Sequence, residues 1–182
     1  MEKRLTVEEY FGEPETTNPR ELVWGILREP PAPGFEHQTI VTHLGSLLDR
    51  HARRLGIGAV VVSPIDVVLD EKRKLVVQPD VVFISKPRLS TVVVGNRVRG
   101  APDLVVEVFS PGCAWRDRDV KLRWYSRYGV QEYWLVDPIG HEITVVALRS
   151  RSHRRRSIYA AGEAVRSRVL PALNLPVSRV FE

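Results

Sequence analysis

Two stretches of this chain are apolar at nearly every position: residues 81–85 (VVFIS) and 104–109 (LVVEVF). A strand with one wet face alternates apolar and polar residues, whereas a short continuous apolar run belongs to a strand covered on both faces. The chain must therefore supply covering elements. Residues 36–55 supply one, because Ile40, Val41, Leu44, Leu47, Leu48 and Leu55 recur at helical spacing until Gly56 and Gly58 stop the pattern. A second helix is predicted over Arg116–Tyr128, ended by Gly129. The β-rich runs are Ala59–Leu69, Leu75–Ser85, Leu104–Ser110 and Glu132–Val136, followed by a turn at Asp137–Gly140 and a further strand at Ile143–Leu148. The order helix, three strands, helix, strand predicts an α/β fold, a mixed β-sheet flanked by helices, and not a sandwich of two sheets.

The ends are read with less structure. Thr6 to Glu9 is a capping-box pattern that predicts a short helix from Val7. ELVWGILRE, residues 21–29, reads as a strand or hairpin arm broken by Gly25, and the PPAPG that follows is a loop. Residues 1–35 are expected to form an N-terminal β extension, 36–148 the core and 149–182 a basic C-terminal segment, all within one domain. Neither an internal repeat nor a phosphate-cradling glycine loop is present, so a nucleotide-binding fold has no support.

Composition narrows the setting. Hydrophobic residues make up 43% and charged residues 27% of the 182, an ordinary soluble balance. No apolar run approaches the roughly 20 residues a membrane helix needs, and the N-terminus has no apolar signal core. The lone Cys113 can form neither an intrachain disulfide nor a metal cluster, so a cytoplasmic protein without a membrane partner is expected. The net charge of +5 is uneven: residues 1–140 balance 19 basic against 19 acidic side chains, and residues 141–182 set eight arginines against three glutamates. Twenty-two arginines suit phosphate contacts, though a GC-rich genome or a thermophilic host gives the same bias.

The chemistry is carried by charges placed where the pattern demands apolar residues, since a buried charge is costly unless it is paired or bound to metal. Glu107 lies inside the second run, on the strand face shared with Val105; the alternative is an edge strand with a solvated face. Asp80, in Pro79-Asp80, starts the first run; the alternative is an ordinary turn aspartate. Asp103, in a second Pro-Asp pair, stands about 13 Å along the strand from Glu107, too far to share an ion. On a wheel of residues 117–128 at about 100° each, Lys121 falls in the middle of the arc of Val120, Leu122, Trp124, Tyr125 and Tyr128. It either snorkels past those aromatics or points inward towards Glu107. His37 and His51 lie near the apolar face of the first long helix, where a lone histidine is more often structural. Glu21 and Glu36 are plausible accessory acids without privileged spacing.

Two carboxylates on adjacent core strands and an inward lysine suit metal-assisted phosphodiester hydrolysis. Carboxylates hold Mg²⁺ or Mn²⁺ through hard oxygens. The ion acidifies water and neutralises phosphate charge. The lysine orients or deprotonates the nucleophile, or stabilises the transition state. The stretches ELVWGIL, PPAPGFEHQ, QPDVVFIS, APDLVVEVFSPG, RDRDVKLRWYSRYGVQEYWLVDP and LPALNLPVSRVF, spanning most of residues 6–182, resemble the bacterial restriction-endonuclease-like Uma-two family of the PD-(D/E)xK nuclease superfamily. The string from Pro102 to Pro138 is the specific part.

The resemblance implies a restriction-endonuclease-like core fold, with Asp80 and Glu107 as the metal-binding carboxylates and Asp80, Glu107 and Lys121 as the catalytic set. In the superfamily's simplest motif the lysine follows the second acid by two residues, where this chain has Phe109; the family pattern moves it to the next helix, at Lys121. The family's first-helix polar residue corresponds to His37 or Glu36. The loop SPGCAW departs from the usual Ser/Thr-rich sequence, so Cys113 and Trp115 are expected to affect substrate access. Arg154, Arg155 and Arg156 are expected to contact nucleic acid, from a basic loop on a folded tail or from a flexible arm.

The leading expectation is a Mg²⁺- or Mn²⁺-dependent endonuclease acting on DNA, with a homodimer as an expected assembly. The alternatives are a non-catalytic nucleic-acid-binding or regulatory module on the same fold, and an oligomerising scaffold. No helix-turn-helix or zinc module for sequence readout is recognisable.

Overall fold

The computed structural model describes residues 4–14, 16–109, 115–148 and 155–182, with residues 115–118 described by backbone alone. In chain order the elements are α1 (Val7–Gly12), β1 (Glu21–Val23), β2 (Ile26–Arg28), α2 (Phe35–Leu55), β3 (Gly58–Val62), β4 (Val67–Asp70), β5 (Leu75–Val77) and β6 (Val81–Ser85). A 3₁₀ turn then leads to α3 (Leu89–Val92), β7 (Val93–Val94), β8 (Arg97–Arg99) and β9 (Leu104–Val108). The chain continues through α4 (Trp115–Tyr128), β10 (Glu132–Asp137), β11 (Glu142–Ala147), β12 (Arg155–Tyr159), β13 (Ala164–Val165), β14 (Leu175–Pro176) and α5 (Ser178–Phe181).

The two apolar runs are β6 and β9, neighbours at the heart of a six-stranded sheet ordered β12-β11-β10-β9-β6-β3. β9 and β10 are parallel and the other pairs antiparallel, so the sheet is mixed. Every residue of these two strands but Ser85 and Glu107 is buried. One face, with Val81, Phe83, Leu104, Val106 and Trp134, packs under Ile40, Val41, Leu44 and Leu48 of α2 and under the C-terminal residues Leu170 to Val180. The opposite face, with Val82, Ile84, Val105 and Tyr133, packs against Tyr125 of α4 and against a second sheet.

That second sheet is where the structure departs from expectation. It also has six strands, ordered β2-β1-β5-β4-β8-β7. Its Val67, Leu75, Val77 and Val98 share the core of the central sheet, while Leu22, Val68 and Val76 turn the other way to cover Leu5, Val7 and Tyr10 around α1. Helices flank the central sheet as expected, α2 on one face and α4 on the other, but the second sheet shares the α4 face and C-terminal residues share the α2 face. The reason lies in two prolines. The run Ala59–Leu69 contains Ser63-Pro64, and the run Leu75–Ser85 contains Gln78-Pro79. Proline cannot donate to a ladder, so each run breaks there and delivers one half to each sheet: β3 and β6 to the central one, β4 and β5 to the second.

Local signals elsewhere hold. The Thr6 hydroxyl accepts from the Glu9 N–H, and the Glu9 carboxylate accepts from the Thr6 N–H, closing the capping box. The broken arm is a hairpin in which Trp24 (φ 55°) and Gly25 (φ 85°) form the turn between β1 and β2. Positive φ at both central residues matches the twist of the flanking strands.

Candidate functional site

The site forms where β6 begins and β9 ends. The antiparallel ladder pairs Val81 with Val106, and its next step sets Asp80 beside Glu107. Asp80 is held from two sides: the Val108 N–H donates to its Oδ2 at 2.7 Å, and His37 Nε2 lies 3.1 Å from its Oδ1. His37 sits in the first turn of α2, so the helix that covers one sheet face also props this carboxylate at the sheet's end.

Glu107 points away from α2, to the face that Val105 shares. There α4 lays Lys121 and Tyr125 over it, one helical turn apart. Lys121 Nζ is 3.1 Å from both Glu107 oxygens, and the Tyr125 hydroxyl donates to Oε1 at 2.6 Å. Lys121 also contacts Glu21 Oε1 at 3.0 Å. Glu21 begins β1 in the second sheet and accepts from the Gln78 N–H at 3.1 Å. Lys121 thus points inward and does not snorkel, and it bridges carboxylates of both sheets.

The electrostatics follow from this crowding. Burial is the largest influence on Glu107; Asp80 and Glu21 act in the same direction, Lys121 and Tyr125 oppose them, and the carboxyl is pushed up to about 7. Burial alone would lower Lys121, but Glu107 and Glu21 outweigh it and hold the ammonium well above its usual value. Burial, with Glu107 and Glu21, also raises Tyr125, so its hydroxyl remains a donor.

The other candidates separate from this cluster. Glu36 is exposed on α2 and lines a surface cleft with Phe35, His141 and Phe181, away from Asp80. Asp103 is buried in its own network, accepting from the Ser85 N–H, Arg88 and Gln131. His51 bonds the Pro171 carbonyl oxygen at 3.0 Å and ties α2 to the C-terminal segment. Arg155 and Arg156 are exposed on β12, an edge of the central sheet. Arg154 and Cys113 lie outside the described residues, as does the side chain of Trp115. Tyr125 was absent from the sequence-derived site. Its signal was there, about 40° from Lys121 on the helical wheel, but an aromatic in an apolar arc reads as core, and by burial it is core as well.

The family model Uma2, described as "Putative restriction endonuclease", matches residues 7–178. The chain belongs to the Uma2 family. A solved structure from Anabaena variabilis, described as a "putative nuclease belonging to DUF820", superposes with a TM-score of 0.81, covering 97% of each chain at 19% identity. At that identity the likeness establishes a shared fold. No curated protein matches the sequence. Among the described residues, no helix is long and apolar enough to cross a membrane.

The donor chemistry of this Uma2 site fits a divalent metal. Among the described residues no three His, Cys, Asp or Glu side chains form a ready-made metal cluster. Mg²⁺, however, characteristically takes one or two carboxylates and fills its remaining positions with water and substrate phosphate. Asp80 and Glu107 are such a pair. The raised Glu107 is a carboxyl whose ionisation is opposed by two neighbouring acids, the condition a cation relieves.

Proposed function

We propose that this Uma2 protein is a divalent-metal-dependent nuclease that hydrolyses phosphodiester bonds in DNA. The observation that carries the reading is the placement of Asp80 and Glu107 side by side at the ends of two buried strands, with the Lys121 ammonium 3.1 Å from Glu107. Asp80 and Glu107 would hold the ion, Mg²⁺ or Mn²⁺. When bound, such an ion supplies positive charge for the phosphate and lowers the pKa of water.

The remaining work falls to the protein. The Val108 N–H and His37 fix the rotamer of Asp80, so its carboxylate is preorganised. Tyr125 fixes Glu107 in the same way. Lys121 is held protonated by Glu107 and Glu21, which makes it a hydrogen-bond donor and charge stabiliser for the attacked phosphate rather than a base that abstracts a proton. Arg155 and Arg156 at the sheet edge would add phosphate contacts that position the backbone without reading bases. Val61 and Val62, exposed on the edge strand β3, support a two-copy assembly as part of the same reading; sedimentation showing a monomer at assay concentration would remove that part.

The test is cleavage of supercoiled, linear and single-stranded DNA with Mg²⁺, with Mn²⁺ and with chelator. Cleavage is expected only with metal, and loss of at least about a hundredfold in Asp80→Ala and Glu107→Ala. Full activity in either variant would sink the assignment.

A further inference from the structure

Lys121 has two carboxyl partners where an ion pair needs one. Its Nζ stands 3.1 Å from each Glu107 oxygen and 3.0 Å from Glu21 Oε1. The two acids are anchored independently. Glu107 belongs to β9 of the central sheet and is held by Tyr125; Glu21 belongs to β1 of the second sheet and is held by the Gln78 N–H. This arrangement bears on a conflict within the proposed metal site. A cation on Glu107 shares its oxygens with Lys121 and repels the ammonium, and a part-buried ammonium left without a counter-charge is strongly unfavourable.

We infer that Glu21 is a positioning residue: it is a second seat for the Lys121 ammonium, and it frees the Glu107 carboxylate for a divalent cation while Lys121 stays paired. The inference rests on the metal-binding role proposed for Asp80 and Glu107. Lys121 and a cation then compete for Glu107, and Glu21 decides that competition by taking the ammonium. Glu21 acts on metal affinity through Lys121, not as a ligand.

Mn²⁺ titration by calorimetry tests this without requiring turnover. The proteins are the wild type, Glu21→Gln, Glu21→Asp, Lys121→Gln and the Glu21→Gln/Lys121→Gln double variant, with Asp80→Ala as the metal-site control. Glutamine at 21 keeps the oxygen that accepts from the Gln78 N–H, and aspartate keeps the charge but withdraws it from Lys121. Thermal melts of each variant report folding. Glu21→Gln is expected to weaken Mn²⁺ binding about tenfold in the wild-type background and less than about twofold in the Lys121→Gln background. Glu21→Asp should lose binding nearly as Gln does, and Lys121→Gln alone should bind more tightly than wild type.

Equal losses from Glu21→Gln in both backgrounds would overturn the inference, because Glu21 would then act as a ligand or a simple field charge. Retained affinity in Glu21→Asp would overturn it as well. Wild-type protein that binds no Mn²⁺, or binds it unchanged in Asp80→Ala, would instead refute the proposed metal site and the inference with it.

Discussion

Glu107 shows how one side chain is set by opposing influences, burial foremost. Desolvation and two acids raise its pKa; one ammonium and one phenol lower it; the outcome is about 7 against an ordinary 4.5. The sign of its effect on stability follows. Between those two values the unfolded chain has already released the proton that the folded chain retains, so unfolding gains as pH rises. Glu107's contribution is fully present below 4.5 and is lost as pH climbs to about 7. In metal-free protein, the melting temperature of wild type should therefore fall relative to Glu107→Gln between pH 5 and 7 and run parallel to it above that range; parallel curves throughout would contradict the shift. Above about pH 7, where Glu107 is ionised, Tyr125→Phe removes a hydrogen bond to a charged acceptor, and chemical denaturation should show a loss of about 1.5–3 kcal/mol. Tyr128→Phe, whose hydroxyl bonds the outward Asp70 at 3.0 Å, is the matched control and should cost less, about 1 kcal/mol or under.

The helices and strands explain why these residues meet. α4 presents Lys121 and Tyr125 to one carboxylate because i and i+4 share a helix face. β9 sends Val106 and Val108 into the α2 core and Glu107 to the other side because side chains alternate along a strand. Both facts follow from spacing, and of the two orientations the wheel allows for Lys121 the structure has the inward one. The division of the strand runs could not be read from apolar character alone, since only the short segments Ser63–Asp66 and Gln78–Asp80, each with a proline, separate β3 from β4 and β5 from β6. α2 is seated against β3 at Gly45, where an added Cβ would stand 2.5 Å from Val62 Cγ1. Gly45→Ala should cost about 1–3 kcal/mol by overpacking, seen as a lowered denaturation midpoint with an unchanged slope. An unchanged midpoint would mean that a shift of the exposed Val62 side chain and alanine's gain of about 1 kcal/mol in helix propensity offset the overpacking.

Taken whole, the chain stacks α1, the second sheet, the central sheet and α2, with α4 beside the second sheet over the central one. The site lies where both sheets meet α4. The net charge of +5 arises after residue 140, and its described arginines include the exposed pair Arg155 and Arg156 on β12. If these contact phosphates, replacing either with Ala should lower the slope of log affinity against log salt by about 1 and weaken binding equally on all DNA sequences; an unchanged slope would place the backbone elsewhere. Residue spacing alone was enough to identify the doubly covered strands, the apolar helix faces and the three charges that violate them. Those are properties of local backbone periodicity, which a linear pattern carries in full. The neighbourhood of the charges was not local. Asp80 stands beside Glu107 because β6 and β9 pair antiparallel in one register, and Glu21 reaches Lys121 because a second sheet closes over the first. Neither Glu21 nor Tyr125 breaks the pattern of its own element. Their place in the site comes from long-range packing, which is decided by how all the apolar faces can be buried together and is written in no single stretch of the chain.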